Sequence, residues 1–118
     1  MDQICLAFPV QEGTAEAARA FMRDLDDARR DEYDRSERRL GISKEVWFLA
    51  PTPAGELLVG YIEAEDFATA APQFFASQDP FDLWFKQQML EVTGIDLNDP
   101  PELRFPELLS IYQAPVPA

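Results

Sequence analysis

The chain has 118 residues, with 22 acidic and 10 basic side chains and a formal net charge of −12. This length predicts one domain with a single core. Seven of the ten basic residues lie between positions 19 and 39 and alternate with acids, so the sequence offers no basic patch for nucleic acid or an anionic membrane surface.

Histidine is absent from the sequence, which removes the usual general base at neutral pH and the usual ligand of zinc and haem. We therefore expect no metal and no cofactor. The single cysteine, Cys5, excludes an intramolecular disulfide, and its place in the first strand predicts a small buried thiol. Without a leader sequence or a run of about 18 apolar residues, the predicted location is the cytoplasm.

The first predicted element is a strand over residues 3–10, with bulky side chains on one face and Cys5 and Ala7 on the other. A long helix is predicted over residues 14–40. Its second half, ARRDEYDRSERR, is nearly all charged and indicates a solvated face with ion pairs four residues apart. The alternative is that Arg30, Tyr33 or Arg38 lies at the mouth of a pocket and binds an anionic group.

Residues 44–66 predict a hairpin of two antiparallel strands joined at Pro51, Pro53 and Gly55. Because side chains alternate along a strand, Trp47 and Leu49 share one face. Neither strand has a polar face, so both faces of the sheet must be covered.

Two further helices are predicted, over residues 67–77 and 80–93. Asp66 is expected to cap the first, although Pro72 should kink or shorten it. Asp79 and Pro80 are expected to start the second helix, with Asp82 completing an arrangement similar to a capping box. Residues 108–112 then predict a fourth strand.

The order of these elements predicts an α+β fold of the ferredoxin-like, split βαβ type, with a four-stranded antiparallel sheet and helices on one face. The helices leave the second sheet face exposed, and an apolar patch of that size exceeds what soluble monomers normally show. We therefore expect a homodimer whose two sheets close over each other, as in a dimeric α+β barrel. The residues assigned to that face are Trp47, Leu49, Leu57, Val59, Tyr61 and Tyr112.

Several short motifs support this architecture: Leu40-Gly41-Ile42, Trp47-Phe48-Leu49, Pro53 with Gly55, Tyr61 with Glu63, Pro80-Phe81-Asp82, Trp84-Phe85 and Gly94-Ile95-Asp96-Leu97. Together they resemble an uncharacterised bacterial family within the dimeric α+β barrel superfamily. The resemblance spans about residues 40–97 and implies the fold and the dimer. The superfamily includes cofactor-free monooxygenases, haem enzymes, lactone isomerases and ligand-binding proteins.

The predicted site residues follow from the second sheet face and the aromatic helix. Those expected to contact a ligand are Trp47, Leu49, Tyr61, Trp84 and Tyr112. Glu63 and Tyr61 are the candidates for proton transfer, because desolvation inside a closed barrel would raise the pKa of Glu63. Three functions stay open: binding of a small apolar molecule, cofactor-free isomerase or oxygenase activity, and a purely structural dimerisation module.

Overall fold

A single antiparallel sheet of three strands, in the order β1-β3-β2, forms one layer of the protein. The computed structural model describes residues 1–102 and 104–117. Their helices and strands are β1 (Asp2–Pro9), α1 (Ala15–Asp26), α2 (Arg30–Leu40), β2 (Ile42–Thr52), β3 (Gly55–Ala64), α3 (Phe67–Ala76) and α4 (Pro80–Thr93).

The predicted fourth strand does not form, so the expectation of a four-stranded ferredoxin-like sheet was wrong. In the described residues the sheet has three strands, and residues 108–112 have no regular structure. Tyr112 is 87% exposed. Pro106 and Pro115 flank this short run and donate no backbone hydrogen bond, so too few ladder bonds remain to offset the entropy lost on ordering it.

The predicted helix over residues 14–40 is two helices, separated at residues 27–29. Asp27 leaves helical geometry, with φ −130° and ψ −89°, and the backbone N–H of Arg29 donates to the carbonyl of Asp24 at 2.7 Å. Aspartates at positions 26 and 27 are unfavourable at the negative end of the helix dipole. The break gives α2 its own direction, and Gly41 ends α2 with φ 74°.

The helices cover the sheet face that carries Trp47. In the observed register Trp47 lies opposite Gly60, and Tyr61 lies opposite Val46. The prediction that Trp47 shares a face with Tyr61 was therefore wrong. Since side chains alternate along a strand, a difference of one residue in the pairing moves a side chain to the other face.

The second sheet face carries no helix and is largely apolar. Phe48 on this face is 58% exposed, and Cys5 is also exposed, so the prediction of a buried thiol was wrong. The cross-strand rows on this face, read from β1 through β3 to β2, are Cys5-Tyr61-Val46, Ala7-Val59-Phe48 and Pro9-Leu57-Ala50. We call these nine residues the open face.

The main core lies between the helix-covered sheet face and α1 and α4. Its buried members are Phe8, Phe21, Leu25, Leu58, Phe81, Phe85, Met89 and Leu97. The ends of α4 agree with the sequence: the Asp79 side chain accepts from the N–H of Phe81 at 3.0 Å, and Gly94 ends the helix with φ 78°. No helix in the described residues has the length and apolar character needed to cross a membrane.

Candidate functional site

An apolar cavity of about 200 Å³ lies between the helix-covered face of the sheet, the helices and the C-terminal segment. Its walls are mostly apolar, and eight aromatic side chains contribute to them: Phe8, Trp47, Phe67, Phe74, Phe75, Phe81, Phe85 and Phe105. Phe105 packs edge-on against Phe67, with ring centroids 5.3 Å apart, so the C-terminal segment closes one side. An apolar cavity of about 150 Å³ can hold benzene, so this one has room for one ring and a short substituent.

The cavity has one acidic end, lined by Glu37 and Glu45, and Tyr33 lies beside them as a hydrogen-bond donor. The Tyr33 hydroxyl donates to Oε2 of Glu45, and Nε1 of Trp47 donates to the same oxygen at 3.1 Å. Burial raises the pKa of Glu45, while these two hydrogen bonds oppose the rise. Burial, and then the charges of Glu45 and Glu37, raise the pKa of Tyr33, so its hydroxyl remains a donor.

Glu37 differs from Glu45 because it has a buried oxygen without a hydrogen-bond partner in the described residues. Its Oε2 is buried and makes no hydrogen bond within the described residues. Burial, followed by the nearby carboxylates of Glu45 and Asp82, raises the pKa of Glu37 to about 9. A carboxyl group with such a pKa is protonated at neutral pH.

A second, more polar groove lies on the other side of the same carboxyl groups, between α2 and β2. Its lining includes Arg30, Tyr33 and Arg38, which the sequence suggested as residues at the mouth of a pocket. Glu37, Ile42 and Glu45 line both this groove and the apolar cavity. The acidic end therefore separates an apolar interior from a polar groove.

Gly60 makes room for the indole of Trp47. A Cβ atom at position 60 would lie 2.6 Å from Cζ3 of Trp47, closer than packed carbon atoms approach each other. The ring thus lies flat against the β3 backbone between Phe8 and Phe85, whose centroids are 6.4 and 6.3 Å from it. This contact holds the Trp47 N–H beside Glu45.

A second group of polar residues lies close to the cavity around the buried Asp82, and we call Ser36, Arg39, Ser77 and Asp82 the Asp82 network. Asp82 is completely buried. It accepts hydrogen bonds from Ser36 and Ser77, both at 2.6 Å, and pairs with Arg39. Its side chain thus connects α2 and the start of α4, whereas the sequence had assigned it to a capping box.

Lys86, also fully buried, caps the end of α3. Its Nζ donates to three backbone carbonyls, those of Phe74 at 3.1 Å, Phe75 at 3.0 Å and Ser77 at 2.9 Å. These carbonyls lie at a helix C-terminus, where a cation is favourable. Lys86 therefore has a structural role that accounts for its burial.

The structure places Tyr61 and Glu63 away from the cavity. Both point to the side of the sheet that no helix covers, and the Tyr61 hydroxyl donates to Oε2 of Glu63 at 2.8 Å. This hydrogen bond raises the pKa of Tyr61. Neither residue is among the described residues that line the cavity.

Of the residues predicted to contact a ligand, Trp47 lines the cavity and the other four do not. Leu49 contributes to a shallow groove against α1. Trp84 packs edge-on against Phe21 at 5.4 Å, and the Arg29 guanidinium lies 4.2 Å from the centre of its ring. Tyr112 is exposed on the C-terminal segment.

The sequence analysis missed Glu37 and Glu45, although both left a signal. Glu45 lies on the same face of β2 as Trp47 and Leu49. Had the sequence analysis placed the helices over that face, it would have predicted that the carboxylate of Glu45 points into the protein. On α2, Tyr33, Glu37 and Leu40 recur at spacings of four and three residues, the period of a buried helix stripe. The many charges around them concealed it.

The described residues contain no group of three or more acidic or cysteine side chains placed to hold a metal ion. Hydrogen bonds from Tyr33 and Trp47 already occupy Oε2 of Glu45, so the arrangement is suited to hydrogen bonding and proton exchange.

These features define an α+β domain with an internal apolar cavity and a buried carboxyl pair at one end. Residues 1–111 match the family described as "Family of unknown function (DUF6176)". The chain belongs to this family. Neither a curated protein nor a solved structure matches it.

Proposed function

We propose that the protein binds a small, mostly apolar molecule in the cavity between the sheet and the helices. The observation that supports this is an aromatic-walled space of about 200 Å³ with polar groups at one end. Binding pockets for small molecules commonly have this composition, with apolar walls and a few polar groups that orient the ligand. Of the residues that the sequence predicted to contact a ligand, Trp47 is the one among the described lining residues of this cavity.

Toluene is a suitable first probe, because it has the size of the cavity and no charge. A Trp84→Phe protein leaves Trp47 as its single tryptophan, so fluorescence then reports on the cavity wall. We expect saturable changes in Trp47 fluorescence and a higher midpoint of thermal unfolding with toluene. Fluorescence unchanged at saturating toluene would contradict the proposal.

Filling the cavity supplies the matched control. Ala71 lines the cavity and Ala68 lies on the exposed side of the same helix. Ala71→Phe should abolish the response to toluene, whereas Ala68→Phe should leave it unchanged. Equal responses from the two folded variants would show that toluene binds elsewhere, and would leave the structural-module alternative as the better account.

A second candidate function is cofactor-free proton transfer, such as an isomerisation, and the raised pKa of Glu37 favours it. In this proposal Glu37 acts in its ionised form, which takes a proton from one carbon of the substrate and returns it to another. The general base is thus assigned to the acidic end, and the Tyr61 and Glu63 pair is not required. Glu37→Gln should abolish turnover of an isomerised substrate while Glu63→Gln retains it; the reverse result would restore the original assignment.

We further propose that two copies associate through the open face. The three cross-strand rows that define the open face contain no charged residue, although the chain carries a net charge of −12. Two such faces can therefore meet about a twofold axis without bringing like charges together. Burial of apolar groups such as Phe48 would supply the free energy of association. A relation to the dimeric α+β barrel superfamily, and a bacterial origin, are part of this proposal.

Light scattering tests the association directly. The protein should have twice the mass of a 13.4 kDa chain, and Phe48→Asp should reduce it to one chain with an unchanged circular dichroism spectrum. Ala17→Asp, on the exposed side of α1, is the control and should stay dimeric. A single-chain mass for the unaltered protein at micromolar concentration would refute the dimer. The cytoplasmic location remains a prediction of the sequence.

A further inference from the structure

We infer that residues 107–117, which we call the C-terminal arm, pack against the second copy of the chain and complete the interface between the two copies. This inference rests on the association proposed above and names a further surface that takes part in it. It follows from the exposed apolar side chains of the arm, the small size of the open face and the absence of charge on both surfaces.

The arm carries large apolar side chains that its own chain leaves mostly uncovered. Leu109, Tyr112 and Val116 are 86%, 87% and 85% exposed, and Leu108 and Ile111 are also exposed. Five of the eight exposed large apolar residues in the described chain therefore lie on this short segment. A concentration of apolar surface on a soluble protein marks a site of interaction.

The start of the arm is anchored to the fold. Phe105 packs edge-on against Phe67, with ring centroids 5.3 Å apart, and Phe105 and Pro106 line the cavity. From Glu107 onwards every described residue is exposed, and no backbone hydrogen bond joins residues 107–117 to the rest of the described chain. The arm therefore leaves its own copy after Pro106, and its side chains remain accessible to another molecule.

The arm is long enough to reach a second copy. From Pro106 to Val116 the chain can extend over up to about 33 Å. The two outer strands of a three-stranded sheet are only about 10 Å apart. The arm can therefore pass the edge of one sheet and cover part of the surface of the other copy.

The open face alone is small for a stable interface between two proteins. It consists of nine residues, whereas a stable interface usually involves about 20–30 residues on each side. The eleven residues of the arm bring each copy to the lower end of this range. Because a twofold axis relates the copies, each contact between an arm and its partner occurs twice.

The distribution of charge favours a second copy as the partner. Residues 108–117 contain no charged side chain, and neither does the open face, although the chain carries a net charge of −12. Two copies can therefore bring these surfaces together without placing like charges in contact. The family match extends to residue 111, so the apolar residues at 108–111 belong to the same domain as the open face.

Two charge substitutions on the arm test the inference. Leu109→Asp places a carboxylate at an apolar position, and Gln113→Asp, the matched control, places the same charge at a polar position. In sedimentation equilibrium, Leu109→Asp should raise the dissociation constant of the dimer at least tenfold, whereas Gln113→Asp should raise it less than threefold. Equal effects of the two substitutions would show that charge alone acts, and would overturn the packing of the arm.

Photo-cross-linking identifies the chain that the arm contacts. The photoreactive amino acid p-benzoylphenylalanine replaces Leu109 in unlabelled protein, which then exchanges subunits with isotope-labelled protein that lacks it. Irradiation should join one unlabelled chain to one labelled chain. The same amino acid in place of Ala17, on the exposed side of α1, should give no such product. Cross-links confined to single chains would show that the arm folds onto its own copy, and would overturn the inference.

The measurements also separate failure of the arm contact from failure of the dimer. A two-chain mass for the unaltered protein, with a dissociation constant that Leu109→Asp leaves unchanged, would overturn the arm contact and leave association through the open face intact. A single-chain mass for the unaltered protein would refute the dimer and the arm contact together.

Discussion

Two buried polar regions lie side by side in this protein, and they differ in how completely their hydrogen bonds are satisfied. In the Asp82 network, Ser36, Ser77 and Arg39 all direct donors to one carboxylate. At the acidic end of the cavity, one oxygen of Glu37 has no partner among the described residues. Buried polar groups are normally paired, so the fully paired network fits a structural role, whereas the unpaired oxygen belongs to a residue that lines the cavity in which we propose that a ligand binds.

The two regions are also coupled through α2. Ser36 belongs to the Asp82 network, and the next residue, Glu37, lines the cavity. The charge of Asp82 contributes to the raised pKa of Glu37. The structural network therefore holds the helix that presents Glu37 and also helps to keep this carboxyl protonated. The following predictions test the distinction between the two regions.

The largest effect is expected from Asp82→Ala. The change leaves the hydroxyl groups of Ser36 and Ser77 without their acceptor and leaves the partly exposed Arg39 paired with Asp79 alone, so we expect a loss of about 2–4 kcal/mol. Urea unfolding should show this loss. Asp66→Ala, which removes an exposed cap of α3, is the control and should cost about 1 kcal/mol. A smaller loss for Asp82→Ala than for Asp66→Ala would contradict the structural role of the network.

Gly60→Ala should destabilise the fold by about 1–3 kcal/mol, because the added methyl group overpacks against the Trp47 ring. The displaced indole would also lose its hydrogen bond to Glu45, which Trp47 fluorescence in a Trp84→Phe protein should report. The double variant Gly60→Ala/Trp47→Leu should be less destabilised than the sum of the two single changes. Strict additivity would mean that the two residues do not compete for the same space.

Glu37 should make the protein less stable as pH rises. Its pKa is raised from 4.5 to about 9 on folding, so the folded state keeps a proton that the unfolded state loses above pH 4.5. Its contribution is therefore most favourable below pH 4.5 and is lost progressively until about pH 9. Glu37→Gln should flatten this decline. Near pH 9 the free energy of unfolding of this variant should exceed that of the unaltered protein by about 1–2 kcal/mol. Parallel pH profiles for the two proteins would contradict the assignment.

The smallest effect is expected from Tyr61→Phe. This residue lies on the open face, where its hydroxyl donates to Glu63, and an exposed hydrogen bond contributes little. The free energy of unfolding should change by less than about 0.5 kcal/mol, and toluene binding should be unchanged. Loss of toluene binding in this variant would move the site from the cavity to the open face.

Much of the fold could be predicted from the sequence because its signals are local. Gly41 and Gly94 end α2 and α4 in the left-handed conformation. Asp66 and Asp79 cap the N-termini of α3 and α4, as expected. The hairpin of β2 and β3 also forms. These features depend on short-range sterics and hydrogen bonds, which neighbouring residues specify.

The fourth strand and the site depended on longer-range information. A strand needs a partner to satisfy its backbone groups, and residues 108–112 have none in the described structure. The identity of the inner sheet face depended on the register between strands, because one residue of shift exchanges the two faces. Trp47 was therefore recognised as a candidate ligand residue but assigned to the wrong side.

The sequence by itself determined the capped ends of α3 and α4 and the end of α2 at Gly41, which strands form the hairpin, and that both sheet faces would be apolar. Only the tertiary structure decided which of those faces lies under the helices, and thereby that Glu45 and Glu37 meet beside an apolar cavity. The physical reason is that a residue's type fixes its local preferences, whereas desolvation and hydrogen-bond pairing depend on side chains that are distant in the chain and adjacent in space.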